Sequence, residues 1–98
     1  MSAYYEYKGL GTSLNGLTNY MYNARAKAGI KDRCSAQTLY DKLLIDIVQY
    51  GIENIPNFKK KGHVHVMADR IAVKVQKNKK FNQFKEWYDK YISSIPKN

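Results

Sequence analysis

Leu14, Leu17, Met21, Ala24 and Ala28 recur every three or four positions, the spacing that lines up one face of an α-helix. The pattern predicts a first helix opened by Thr12 or Ser13 as N-cap, within the turn-rich GLGTSLNG, and stopped at Gly29. Tyr20, Arg25 and Lys27 fall away from the apolar face. The short connection IKDRC leads to Ser35, a cap for a second helix through SAQTLYDKLLIDIVQY. There Leu39, Leu43 and Ile47 share a face flanked by Tyr40, Leu44 and Val48, while Asp41, Lys42, Asp46 and Gln49 keep the rest polar. So wide an apolar arc predicts a helix packed on two sides. Gly51 is expected to end it, with GIENIPNF as a loop in which Pro56 resists helix continuation.

The next stretch, KKKGHVHVMADRIAVKVQKNKK, alternates. With Ala68 and Asp69 as the turn, Val64, Val66, Ile71, Val73 and Val75 project to one side of a β-hairpin. His63, His65, Arg70, Lys74 and Gln76 occupy the other side. Ala-Asp is not a favoured hairpin turn, so a longer loop with shifted pairing stays open. KFNQFKEWYDKYISSI then reads as a final helix, with Phe81, Phe84, Trp87, Tyr88, Tyr91, Ile92 and Ile95 at helical spacing and Pro96 as its stop. Phe84, Trp87, Tyr91 and Ile95 are the expected core stripe. The predicted fold is a small α+β domain: helix, helix, β-hairpin, helix. A short N-terminal strand from residues 3–8 would join the hairpin, since a lone hairpin is marginal. One domain is expected over residues 1–98, with short flexible ends at 1–3 and 96–98.

Charge changes the picture more than composition does. Of seventeen Lys and Arg against eight Asp and Glu, eleven basic and three acidic residues fall in the last 41 positions. Solubility does not need such asymmetry, whereas a concentrated positive potential attracts polyanions. Cys34 is the lone cysteine, which fits a reducing compartment. No stretch approaches the ~18 apolar residues of a membrane span, and MSAYYEYKG lacks the pattern of a secretory signal. A cytoplasmic protein without membrane contact is expected.

Candidate chemistry is sparse. In the hairpin register His63 and His65 lie on one strand face, but a zinc site needs a third and fourth ligand, and the surrounding lysines oppose a cation. No metal or other cofactor is expected. Cys34 with a histidine would make a thiol–imidazole pair only if the fold joined them. Carboxylates are few and sit mainly on helix exteriors, and GLGTSLNG lacks the lysine of a phosphate-binding loop. An enzyme is not expected. The first two helices have some flavour of a helix-turn-helix, with Ser35, Gln37 and Thr38 at a helix start able to meet base edges. The connection is long and the second helix very apolar, so that reading, with the hairpin as a wing, is secondary.

The expectation is a small, non-enzymatic nucleic-acid-binding protein of accessory or regulatory type, of viral or mobile-element character, acting on DNA or RNA. Phosphates would be met by Lys59, Lys60, Lys61, Arg70, Lys74, Lys77, Lys79 and Lys80, together with His63 and His65. Ser35, Gln37, Thr38, Tyr4, Tyr5 and Tyr7 are the candidates for base or partner contact. Tyr20 and Tyr22 join the N-terminal tyrosines as candidates for a surface patch. The rival reading is an interaction protein, a viral assembly subunit or an inhibitor of a nucleic-acid-handling enzyme, whose basic face meets an acidic protein groove. Tyrosines and hairpin edges would also allow a homodimer.

Overall fold

The apolar repeat that opens the chain winds as expected. A computed structural model, which describes residues 12–95, shows α1 (Thr12–Lys27) with Leu14, Leu17, Met21 and Ala24 buried. Gly29 adopts φ +78, and the Gly29 and Ile30 amides donate to the Ala26 and Arg25 carbonyls at 3.1 Å each. This is a Schellman ending, and it needs the left-handed residue that glycine supplies. Ser13 lies inside the helix rather than at its cap, its hydroxyl donating to Gln76.

α2 (Ala36–Asn54) begins where Ser35 accepts from the Thr38 amide at 3.1 Å. It runs beyond Gly51, which is helical and buried. The stop comes at Ile55, whose backbone is extended (φ −105, ψ 116) because the ring of Pro56 crowds a helical residue before it. Gly51 serves packing instead of termination. A Cβ built there would lie 2.5 Å from Ile71 Cδ1 and 3.0 Å from its Cγ1, so its absence lets the next helix approach closely.

That next element is the main correction to the sequence reading. Residues 64–77 form a helix, α3 (Val64–Lys77), and no strand occurs among the described residues. The described residues therefore form four helices, not the expected α+β arrangement, and the winged variant loses its wing. The physical reason is burial: Met67, Ala68, Ile71, Ala72 and Val75 are buried on one helical face, with Val64 half-buried beside them. The hairpin register put Met67 and Ala72 on the polar side and Ala68 in the turn. Val66 and Val73, expected inside, are exposed (46% and 44%) and had supplied the misleading alternation. The proposed N-terminal strand, the flexible ends and the stop at Pro96 lie outside the described residues.

α4 (Phe81–Ser93) buries Phe84, Tyr88 and Ile92, one every fourth residue. Trp87, Tyr91 and Ile95, expected in the same stripe, are only half-buried. Phe84 and Tyr88 stack with ring planes 4° apart, and Tyr50 of α2 meets Phe84 edge-on at 5.1 Å and Trp87 at 5.3 Å. Full burial of an aromatic such as Phe84 contributes about 2–3 kcal/mol. The polar tips are satisfied: Tyr50 donates to Gln83 at 2.8 Å and the Trp87 indole to Glu53 at 2.8 Å. Tyr20 and Tyr22 pack half-buried against the core rather than forming an open patch.

Candidate functional site

α3 arises from a run of 22 residues, 59–80, that holds eight Lys or Arg against one Asp. Its inward face is fixed by the apolar residues just named, so everything polar must point out. Arg70, Lys74 and Lys77 are exposed on the helix, Lys59, Lys60 and Lys61 precede it, and Lys79 and Lys80 follow it, all exposed. Both ion pairs among the described residues belong to Arg25, and neither neutralises a cation of this run. Eight positive side chains thus stand in water along and at both ends of a helix about 21 Å long, at 1.5 Å per residue.

The C-terminal end of α3 is held in an unusual way. Lys79 has φ +55, in the left-handed region, and the Lys79 and Lys80 amides donate to the Gln76 and Val75 carbonyls at 3.1 and 2.8 Å. This repeats the ending of α1 with lysine where α1 has glycine, at a conformational cost of about 1 kcal/mol or more. At the other end Gly62 (φ +91) turns the chain, and His63 is the N-cap without a side-chain capping bond.

The helix also rearranges the expected constellation. His63 is the extended N-cap and His65 lies in the first turn of α3, so the shared strand face expected for them does not exist. His65 lies against Tyr40 of α2, ring centroids 6.3 Å apart. Among the described residues no group of three or more His, Cys, Asp or Glu is placed to hold a metal ion. Cys34 is exposed in the α1–α2 connection, and no hydrogen bond links it to either histidine. Ser35, Gln37 and Thr38 are exposed at the start of α2, but their polar groups are engaged locally. Ser35 bonds the Thr38 hydroxyl at 2.9 Å as well as its amide, and Gln37 donates to Asp41 at 3.0 Å. Tyr4, Tyr5 and Tyr7 lie outside the described residues.

Sequence reasoning missed a buried polar centre on the other side of the core. Arg25, assigned to an outer face, is 6% exposed. Its guanidinium donates to both oxygens of Asp32, Nη2 at 2.8 Å and Nε at 3.0 Å, and to the Tyr88 hydroxyl at 2.9 Å. Tyr88 in turn donates to Asp46 at 3.1 Å, and Asp46 lies 3.5 Å from Arg25. Asp46 was also expected outside. The bond to Arg25 lowers the Asp32 carboxyl below its ordinary value, whereas burial raises that of Asp46 against the pull of Tyr88 and Arg25. Burial and Asp46 push the Tyr88 hydroxyl upward. The available signal was positional: Asp46 falls one residue before Ile47, inside the apolar arc of α2.

An open cleft of about 300 Å³ lies between α1, α3 and the start of α4, floored by Gly16, Leu17, Ala72 and Val75. Ser13, Gln76, Lys79 and Phe81 form its rim, so none of its described lining residues is a carboxylate or a histidine. No described helix is long and apolar enough to cross a membrane. Comparison with protein-family models, curated proteins and solved structures finds no match to the chain.

Proposed function

We propose that the chain is a non-catalytic nucleic-acid-binding protein whose α3 and flanking lysines form the contact surface. The observation carrying this reading is the set of eight exposed Lys and Arg side chains between residues 59 and 80, none in an ion pair with another described residue. Neutralising phosphates with such side chains releases condensed counterions, which makes affinity fall with salt at a log–log slope of about −0.9 per contact. These contacts set affinity and position without reading sequence.

Fluorescence polarisation with labelled duplexes between roughly 50 and 200 mM salt tests this over the range where counterion release is steep. A slope of about −4 or steeper is expected, corresponding to five or so contacts. Lys59→Ala with Lys60→Ala should weaken binding on every probe and make the slope shallower by about 2. Binding that is absent, or indifferent to salt, refutes the proposal.

A second reading, docking to an acidic protein surface, is favoured by a separate feature. Ile45 and Ile52 are 56% and 44% exposed, seven residues apart on the outer face of α2. Retention of a stoichiometric protein from nuclease-treated lysate, lost on Ile45→Lys, would select it.

A further inference from the structure

Phosphate contact explains the lysines of α3 but not its valines. Val66, Arg70, Val73 and Lys77 follow one another at intervals of four, three and four, so they form a single outward line opposite the buried face. Two β-branched apolar side chains nearly half exposed, alternating with two cations, are what the hairpin reading had hidden. We propose that α3 enters the major groove of duplex DNA, where Val66 and Val73 select thymine by its C5-methyl group. The inference rests on the nucleic-acid reading above and names the ligand of that same surface.

Three features point to B-form DNA. An α-helix with its side chains is about 10–12 Å across and fits a major groove about 12 Å wide. The corresponding groove of A-form RNA is too deep and narrow for side chains to read. Single strands are gripped by stacking on exposed aromatics, and the one aromatic ring of α3, His65, lies against Tyr40 of α2. Within the groove the thymine methyl is the apolar group on the floor, matched by a valine rather than by a polar side chain. Val66 and Val73 are seven residues apart, about 10.5 Å along the helix, close to three base steps of 3.4 Å. Arg70 lies between them, able to reach a base edge or the near phosphate. The lysines before and after α3 then fall where the two phosphate backbones border the groove.

The test uses three duplexes of one AT-rich sequence: DNA, the same DNA with uracil replacing thymine, and RNA. Uracil lacks only the C5-methyl, so the charge and the hydrogen-bonding edges are unchanged. The intact chain should bind the thymine duplex about tenfold tighter than the uracil duplex, at about three- to fourfold per buried methyl. Val66→Ala with Val73→Ala should bring that ratio to about one while leaving the salt slope unaltered. Alanine is the better helix former, so circular dichroism should show the variant folded. Equal affinity for thymine and uracil duplexes with an intact salt slope overturns the inference and leaves the polyanion reading standing. Tighter binding to the RNA duplex also overturns it. Failure to bind any of the three overturns both.

Discussion

Arg25 takes its place from what surrounds it rather than from its own helix. Its neighbours Ala24 and Ala28 mark the apolar face of α1, and the guanidinium reaches past that face to Asp32, Tyr88 and the vicinity of Asp46. Every buried side-chain nitrogen and oxygen among the described residues has a partner, so the polar centre is fully satisfied. One cation holds two carboxyls whose affinities for protons shift in opposite directions. Asp32, lowered by its paired bonds to Arg25, adds stability above its unfolded value near about 3.9, and that stability is lost as pH falls through the lower folded value. Thermal unfolding followed from pH 7 to pH 2 should therefore show a steep loss below about pH 4. Asp32→Asn should be less stable at pH 7 and lose part of that acid slope; an unchanged slope would assign it to other carboxyls. Little of this was legible. A sequence shows Arg25 beside an apolar stripe and Asp46 within one, but whether such a charged residue faces water or a second layer depends on helices still to be placed. The Ser35 cap and the Gly29 stop were legible because they depend on atoms within a few residues.

At the scale of elements, α3 shows how two periods can coexist in one stretch. Val64, Val66, Val73 and Val75 satisfy a two-residue alternation at each end, and β-branched residues favour strands. Val64, Met67, Ala68, Ile71, Ala72 and Val75 satisfy the helical period through the middle as well, which a hairpin does not. The helix prevails because it buries five apolar residues in one continuous stripe, with Val64 half-buried beside them, and leaves no backbone edge exposed. The basic side chains of residues 59–80 were predicted outward and are outward, since a cation without a buried partner stays in water whichever element forms. Gly51 was read as a terminator for the same local reason that succeeded at Gly29, yet the cause of its identity is Ile71, twenty residues away. The α2–α3 contact should respond to it directly. Gly51→Ala gains about 1 kcal/mol of helix propensity but forces Ile71 and Phe58 aside, for a net loss of about 1–2 kcal/mol in urea unfolding. Ile71→Val removes the Cδ1 atom that would clash. Cγ1 still lies 3.0 Å from the added Cβ, so in that background Gly51→Ala should cost markedly less, and a double-mutant cycle measures the coupling.

For the whole molecule, the decisive asymmetry is between a core that any four-helix protein needs and a surface that stability alone does not explain. Lys79 shows the conflict in one residue. It occupies a left-handed position where glycine would relieve strain, and it adds a cation to the end of α3. Lys79→Gly should raise unfolding stability by about 1 kcal/mol. It should also weaken DNA binding, with the salt slope shallower by about 0.9. Gain in both properties would remove Lys79 from the contact surface. The polar centre has a further consequence, which concerns time. Tyr88, which bonds both Arg25 and Asp46, lies 63 residues after the first and 42 after the second. A ribosome adding about 5–20 residues per second needs roughly 2–8 s to travel from Asp46 to Tyr88. During that interval the charged groups of the future centre remain hydrated while the basic run 59–80 is made. The chain thus carries its full cationic stretch before the last helix can seal its core, among the ribosomal RNA at which it is synthesised.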